Sequence, residues 1–532
     1  MRRETQSAEH TLAQSYNTTP YVGNPYYHTH PGVLAAYGVL YGLSPSDPHH
    51  SRVLELGCGD AANLIPMAHE FPSGEFVGID LSSVQIGIGQ KKAETLGLTN
   101  IELKTRSILD IGAADGKFDY IIAHGVYSWV TDTVREKILD ICRENLSDQG
   151  IAYISYNVLP GWRFNQSMRD LILYRTRKIK DPEQRVAAVL NLINTMLGGV
   201  ASGKSAHDVQ LRSFAKTLKG IPDVSTYLLH EYMEKNNHPY YFHEFVDELH
   251  PFGLQYVCDA DQDKFELDAL PPETAADFES IGENAVEVEQ YIDFLRNTRF
   301  RRSLVCHAGI QVDSAYRLER IQDLHAATDI VPDTDTPDPS TREPVAYKTP
   351  SGRRFSTQHQ SAQEILRLLN EIRPCSIPVG SLIEAVAGEG ASGKVPDDRE
   401  TAEKIGHALY SLFFNGVVDL LGTGRRCVLD TGEFPKVSPV SRLLIQSYRV
   451  TNLCHQTIVM EGDDLAVFVL THLDGTRNRD DLCDLMTEAV RNGRVSIPGL
   501  KVKGGDEIRR VMRDRLGSIL QQIPRYGILI QN

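Results

Sequence analysis

The chain has 532 residues, a formal net charge of −15 and 41% hydrophobic side chains. This length predicts about three domains with a sizeable buried core. The acidic balance and the lack of a basic stripe argue against nucleic acid as the main substrate. A cationic partner fits this charge better, although acidity also serves solubility alone.

Eight cysteines are scattered without a CxxC pair. This excludes a disulfide framework or a cysteine zinc site and suits a reducing compartment. The first residues contain no apolar stretch, and no later run is long enough to span a bilayer. The histidines show no spacing typical of metal ligands. We therefore predict a cytoplasmic protein without a membrane span or metal.

Residues 51–160 alternate apolar, strand-like runs with helical patterns. This rhythm predicts a mainly parallel, doubly wound α/β sheet. The predicted strands are Arg52–Leu56, Glu75–Ile79, Ile101–Lys104, Phe118–Ala123 and Ile151–Tyr156, and the predicted helices are Asp60–Glu70, Ser82–Leu96 and Thr131–Asn145. Ser82 or Ser83 is expected to cap the second of these helices.

The rhythm stops after the fifth strand. Residues 161–240 have helical patterns and predict an insertion, while residues 241–325 return to the sheet through late strands at Leu254–Asp259 and Phe300–His307. Residues 326–350 are rich in proline and aspartate and are predicted to be a linker.

Residues 351–532 regain a globular composition and predict a C-terminal α+β domain. Helical patterns at Ile377–Ala387 and Glu400–Phe414 precede strand-like runs near Val417–Leu421 and Cys427–Leu429. Helix, helix and hairpin in this order indicate a winged-helix-like unit.

The segment after the first strand carries the clearest chemical signal. Gly57 and Gly59 predict a turn that lets backbone approach a nucleotide-like ligand, and Asp80 ends the next strand, where a carboxylate can accept bonds from ribose hydroxyls. Glu55 and Asp60 flank the turn and would repel the pyrophosphate of NAD. They would attract the ammonium and sulfonium of S-adenosylmethionine, which is therefore the predicted cofactor.

Topology places further residues near this cofactor, because ligands sit at the carboxyl ends of the strands. Ser107 and Ile108 are expected beside adenine, and His124 near the methyl group. In the loop that follows His124, Trp129 is interpreted as packing, while active-site and packing roles both stay open for His124 and Tyr127. The full set of predicted cofactor-binding residues is Glu55, Gly57, Cys58, Gly59, Asn63, Asp80, Leu81, Ser107, Ile108 and His124.

Several longer pieces of the first 310 residues resemble one group of enzymes. These pieces are Ser15–Tyr21, Thr29–Pro31, Leu54–Asp60, Gly78–Ser82, His124–Val130, Tyr156–Trp162 and Tyr241–Phe245. They resemble class I methyltransferases with a methyltransferase regulatory domain, whose best understood members are bacterial protein-lysine methyltransferases acting on outer-membrane proteins. One departure is that Ala61 or Ala62 stands where the family often has a third glycine.

The resemblance implies a Rossmann-like class I methyltransferase core with an inserted helical region, and a protein substrate with accessible lysines, such as an outer-membrane protein. Residues 1–50 would cover the cofactor and residues 161–240 would recognise substrate. A homodimer is allowed. The predicted catalytic residues are Tyr16, His124, Tyr127, Tyr156 and Asn157. Aromatic rings there would desolvate a lysine amine and hold its cationic product.

Three alternatives stay open at this point. The chain could methylate a small molecule or an oxygen nucleophile. It could bind S-adenosylmethionine without catalysis, as a regulatory sensor whose winged-helix-like unit contacts DNA or a protein. It could also be an NAD oxidoreductase, because the glycine spacing satisfies a permissive dinucleotide fingerprint.

Overall fold

The computed structural model describes residues 13–14, 16–18, 20, 22–199, 205–221, 223–260, 272–333, 344–349, 352–389, 399–445, 448–460, 464–497 and 504–531. Within these residues the predicted α/β class is confirmed. A seven-stranded sheet carries helices on both faces, and two further units follow it along the chain.

The central sheet has the strand order β3-β2-β1-β4-β5-β7-β6. Its strands are β1 (Arg52–Leu56), β2 (Glu75–Asp80), β3 (Ile101–Thr105), β4 (Phe118–Ala123), β5 (Leu146–Asn157), β6 (Leu254–Asp259) and β7 (Phe300–His307). Strands β1 to β5 pair in parallel, whereas β7 is antiparallel to β5 and β6. The order reverses between β1 and β4, which opens a crevice at the carboxyl ends of the strands.

Helices cover both faces of this sheet. They are α1 (Pro31–Leu40), α2 (Leu64–Glu70) and α3 (Ser83–Thr95) on one face and α4 (Asp132–Asn145) on the other. Central strands buried on both faces read as continuous apolar runs, and Val53, Leu54 and Leu56 are accordingly inaccessible to solvent. Ser82 is the predicted cap, and its hydroxyl accepts a hydrogen bond from the Gln85 amide at 3.2 Å.

The predicted helical insertion lies between β5 and β6. It contains α5 (Arg163–Thr176), α6 (Pro182–Gly199), α7 (Ala206–Lys219), the short α8 (Val224–Tyr227) and a π-helical turn at Leu228–Tyr232. These elements share their own hydrophobic cluster, which includes Ile172, Val189 and Phe214. Helix α9 (Phe242–Leu249) precedes β6, and α10 (Pro272–Ile281) and α11 (Ala285–Arg296) join β6 to β7.

The prediction of a linker over residues 326–350 is wrong for the part that the structure describes. After α12 (Leu318–Ile321), this stretch contains β8 (His325–Ala327), β9 (Val331–Pro332) and β10 (Val345–Lys348), and β10 also pairs with β11 (Arg354–Thr357). Ile330, Val345 and Tyr347 are buried in the main core. Because each of these strands is short, a few large apolar side chains suffice to bury it. Residues 334–343 lie outside the described part.

The helices that follow are α13 (Gln360–Ile372), α14 (Val379–Glu389) and α15 (Arg399–Phe414), which confirms both helical patterns predicted there. The predicted hairpin is wrong. Strand β13 (Asp419–Leu421) pairs with β8, whose other neighbour is β12 (Ile377–Pro378), and residues 427–429 form no strand. Because β13 pairs with a strand that lies far away in the sequence, no local pattern near residues 417–429 indicates its partner.

The last unit has a separate hydrophobic core. Its elements are α16 (Pro439–Leu444), β14 (Arg449–Thr451), β15 (Thr457–Val459), α17 (Asp464–Thr471), α18 (Arg479–Arg491) and α19 (Gly505–Gln522). Val469, Met486, Met512 and Leu516 are buried in this core.

Candidate active site

A tight turn follows β1. Gly57 and Gly59 have φ angles of 74° and 55°, in the left-handed region that glycine adopts without a steric penalty. The amides of Gly57 and Cys58 donate to the Ile79 carbonyl oxygen at 2.9 and 3.0 Å. A Cβ on Gly57 would lie 2.7 Å from Cγ2 of Val126. The turn therefore presents bare backbone to the crevice.

Ala61 continues this turn where the resemblance expects glycine. Its φ is 56°, and its methyl group is fully buried. The left-handed conformation costs an alanine about 1–2 kcal/mol. The surrounding core holds Ala61 in this conformation. An alanine in place of glycine therefore adds backbone strain while the turn is kept.

Asp80 fixes the opposite side of the turn. One carboxylate oxygen accepts from the Gly59 amide at 2.9 Å and the other from the Ser82 amide at 2.8 Å. Burial raises the pKa of this carboxyl group, while these backbone donors lower it. Each oxygen keeps a second lone pair, so a ligand diol at this strand end would find two acceptors in fixed positions.

Glu55 lies beneath the turn and is almost fully buried. One carboxyl oxygen accepts from Nδ2 of Asn63 at 2.9 Å, and the other has no hydrogen-bond partner among the described residues. Burial, reinforced by Asp80 and Asp60, raises the pKa of Glu55 to about 8. A buried carboxyl group with a free oxygen is a binding position for a cationic or donor group.

Only one of the two acidic flanks predicted to select the cofactor faces the cavity. Asp60 forms an ion pair with Lys92 at 2.6 Å, and it is not among the cavity-lining residues. Glu55 and Asp80 both line the cavity. The acidic side chains at the cavity are therefore Glu55 and Asp80, and the contribution predicted for Asp60 is corrected.

Asn63 connects three distant parts of the chain. Its Oδ1 accepts from the Tyr26 amide at 2.9 Å and lies 2.8 Å from Nε2 of His455. Its Nδ2 donates to Thr29 and to Glu55, both at 2.9 Å. Burial lowers the pKa of His455, so the ring is neutral and donates through Nε2. The N-terminal segment, the turn after β1 and the last unit are thus joined at one buried carboxamide.

A cavity of about 440 Å³ occupies the crevice. Most of the residues predicted for the site line it, and their functional roles stay predictions. They are Tyr16, Glu55, Gly57, Cys58, Gly59, Asn63, Asp80, Leu81, Ile108, His124 and Asn157.

The structure does not place Ser107, Tyr127 and Tyr156 at this cavity. Ser107 caps the 3₁₀ turn Ile108–Asp110, and its hydroxyl accepts from the Leu109 amide at 3.1 Å. The Tyr127 hydroxyl donates to Glu248 at 2.9 Å. The buried Tyr156 hydroxyl lies 3.0 Å from that of Ser303. Alternation along a strand explains Tyr156, because its side chain points into the core while Asn157 faces the crevice.

His124 lies where a second cavity of about 330 Å³ adjoins the first. Its Nδ1 is 3.0 Å from the Tyr153 hydroxyl, and the Tyr26 ring packs on the imidazole at a centroid distance of 3.7 Å. Burial, with Arg302 and His28 nearby, lowers the pKa of His124 to about 3. The imidazole is therefore neutral at physiological pH and serves as a hydrogen-bonding and packing surface.

Another wall of the cavity was not predicted as part of the site. Trp129 and Trp162 pack edge to face at 6.4 Å, and both line the cavity with Glu231 and Glu234. Trp129 was expected only to pack. Both tryptophans lie within the diagnostic pieces His124–Val130 and Tyr156–Trp162, but the two glutamates belong to an ordinary helical pattern that gives no such signal.

The described part of the N-terminal segment reaches the cavity, and its covering role stays a prediction. Tyr16 stacks on His230 at 4.5 Å, and Oδ1 of Asn17 accepts from the Ser82 hydroxyl at 2.7 Å. Arg449 of the last unit donates to Oδ1 of Asn24 at 2.7 Å. Tyr21, which ends the piece Ser15–Tyr21, lies outside the described residues.

Two further findings concern the described residues only. No group of three or more His, Cys, Asp or Glu side chains among them is arranged to hold a metal ion. None of their helices is long and apolar enough to cross a bilayer.

Three family models match the chain. A methyltransferase domain matches residues 48–219, a predicted methyltransferase regulatory domain matches residues 225–307, and a PKMT C-terminal winged helix domain matches residues 433–528. The prediction of a winged helix in the C-terminal part is therefore confirmed, and its position is the last unit, residues 433–528. Of the elements from which it was inferred, the two helices are present and the hairpin is not.

Relatives of known sequence or structure cover nearly the whole chain. The uncharacterized protein RP789 of Rickettsia prowazekii is 30% identical over 97% of this chain and 93% of its own length. The structure of PKMT2 from Rickettsia typhi has a TM-score of 0.84 and 26% identity, and covers 96% of this chain and 100% of that one. A second structure of PKMT2, in complex with AdoHcy, matches equally well.

Proposed function

We propose that this chain, which belongs to the family of S-adenosylmethionine-dependent methyltransferases with a regulatory domain and a PKMT-type winged helix, methylates lysine side chains of a protein substrate. The enzyme class and the cofactor follow from the family; the lysine acceptor is the proposal. The solved relative that matches the chain from end to end is a PKMT.

The cofactor fits the residues present. Asp80 offers two acceptors where the ribose hydroxyls are expected, and the free carboxyl oxygen of Glu55 suits an ammonium. Gly57 and Gly59 keep side chains away from the ligand. When bound, S-adenosylmethionine supplies an electrophilic methyl group on a cationic sulfur.

One observation carries the proposal of an amine acceptor: a single cavity joins this acidic cofactor end to an aromatic end at Trp129 and Trp162. Neutral lysine amine at pH 7 costs about 4.6 kcal/mol from an ordinary pKa near 10.4. Desolvation lowers that cost, and the ring faces stabilise a cationic product. The helical insertion closes this end and would contact the protein around the lysine. An outer-membrane protein as substrate, and a homodimer, stay predictions.

The proposal is tested by incubating the protein and methyl-labelled cofactor with bacterial lysate. We expect label in protein bands that resists acid and base, with mass spectrometry locating it on lysine. Asp80→Ala should abolish labelling. Glu75→Ala is the matched control, because Glu75 is an exposed acid at the other end of β2. Label confined to small molecules, or to base-labile esters, contradicts the proposal.

A further inference from the structure

The aromatic end of the cavity holds two carboxylates with no role in holding the cofactor. Glu231 lies in the π-helical turn Leu228–Tyr232, and Glu234 lies just after the end of this turn. Both line the cavity, as do Trp129 and Trp162. π-Helical turns are rare, and they occur frequently at functional sites.

A buried arginine fixes the backbone that carries these carboxylates. The Arg169 guanidinium donates to the carbonyl oxygens of Glu231 at 3.2 Å and Glu234 at 2.7 Å. It also lies over the Trp129 ring at 5.5 Å. Because Arg169 donates to main-chain carbonyl oxygens, it orders this segment without a hydrogen bond to the Glu231 carboxylate.

A second polar group faces the same space from the sheet. Asn157 ends β5, is 3% exposed and lines the cavity. Its Nδ2 has no hydrogen-bond partner among the described residues. A buried carboxamide with an open position is normally matched by a ligand or water. The Glu231 carboxylate, two indole faces and this carboxamide form a site for a group that is cationic, carries an alkyl stem and can hydrogen-bond. The Glu234 carboxylate, which lies 3.6 Å from Nδ1 of His230, is beside them.

We propose that Glu231, Glu234, Trp129, Trp162 and Asn157 form the acceptor subsite and that it selects a primary alkylammonium ion. The inference rests on the proposed function, whose lysine it assigns to a specific chamber. Glu231 receives the ammonium head and accepts the proton that the amine must lose before methyl transfer. Glu234 adds charge beside it, and the indoles enclose the methylene stem. A neutral or an anionic chain of equal length lacks the positive charge that the carboxylates complement.

The two wall indoles are the only tryptophans in the chain, so tryptophan fluorescence reports on this subsite alone. The probe is n-butylammonium chloride, titrated at constant ionic strength into the protein saturated with S-adenosylhomocysteine. Butanol and sodium butyrate are the neutral and anionic probes. We expect a saturable change with butylammonium, and at least tenfold weaker responses with the other two.

Variants assign the effect to residues. Glu231→Gln should weaken butylammonium at least tenfold, Glu234→Gln severalfold, and Glu231→Asp should restore most of the loss. Glu183→Gln is the matched control, because Glu183 is an exposed acid of the same insertion. Cofactor affinity, measured by calorimetry, should be unchanged in all four and verifies folding.

Equal responses to butanol and butylammonium, an unaltered affinity in Glu231→Gln, or no saturable change would each overturn the assignment. Such a result would leave lysine labelling in the lysate experiment intact. Conversely, butylammonium selectivity without protein labelling would contradict the proposed substrate while the subsite stands. The two proposals therefore fail separately.

Discussion

Protonation of Glu55 should control cofactor affinity. This carboxyl group is buried beneath the turn after β1, and its pKa is raised to about 8. Below that pH it is neutral and cannot attract the ammonium of the cofactor. Binding through the ionised form therefore requires loss of a proton, and affinity must increase as pH rises towards 8.

The magnitude follows from one proton. With a pKa of about 8, the ionised fraction falls about 75-fold between pH 7.5 and pH 5.5. This corresponds to about 2.6 kcal/mol at 1.36 kcal/mol per pKa unit. The α-amino group of the ligand, with an ordinary pKa near 7.7–8.0, is mostly cationic over this range, so the carboxyl group sets most of the slope.

Calorimetry with S-adenosylhomocysteine measures the effect without turnover. Wild type should bind up to about 75-fold more tightly at pH 7.5 than at pH 5.5. Glu55→Gln should bind with a flat pH profile and more weakly than wild type at pH 7.5. Glu75→Gln, which alters an exposed acid, should keep the wild-type slope. A wild-type affinity that changes less than threefold would refute the reasoning.

Three further predictions concern stability and the cavity walls. Since the pKa of Glu55 in the folded protein lies above its ordinary value, the stability of the protein falls as pH rises towards 8. Without cofactor, Glu55→Gln should therefore melt at a higher temperature than wild type at pH 8.5, and the difference should shrink at pH 5. Equal melting temperatures of the two proteins at both pH values would contradict this. Tyr16→Ala removes a stacking interaction of about 0.5–1.5 kcal/mol and should reduce the rate of methyl transfer severalfold. Because the Tyr156 hydroxyl faces Ser303 and not the cavity, Tyr156→Phe should keep turnover within about twofold of wild type. The reverse ranking would show that the cavity walls are misassigned. His455→Ala removes a buried hydrogen bond to Asn63 worth about 1–2 kcal/mol, so calorimetry should find cofactor binding weakened by about tenfold. His455→Gln should restore the affinity. An unchanged affinity in His455→Ala would mean that the last unit does not support the turn.

Local and periodic features of the fold could be predicted from the sequence. Strands of the sheet follow continuous apolar runs, and the cap at Ser82 follows from residue type. The cofactor turn could be placed because glycine is needed where φ is positive, as at Gly57 and Gly59. Topology then brought Asp80 to the same edge of the sheet.

The failures at β13 and Glu231 share a physical cause, because each depends on contacts between residues far apart in sequence, whereas the failure at Tyr156 comes from the pleat of one strand. Strand β13 finds its partner in β8, so a hairpin was inferred where none forms. Tyr156 and Asn157 are neighbours in sequence, but the pleat sends one into the core and the other to the crevice. Glu231 reaches the cavity only because Arg169 orders its backbone from another helix.

The contact between Asn63 and His455 spans 392 residues of chain. At synthesis rates of about 5–20 residues per second, the segment around His455 follows Asn63 off the ribosome roughly 20 to 80 s later. During that interval the methyltransferase domain can collapse around its sheet, yet its nucleotide turn lacks one of its permanent hydrogen bonds. Nascent chains should therefore bind the cofactor about tenfold more weakly than the complete chain, and full affinity should arrive late in biosynthesis.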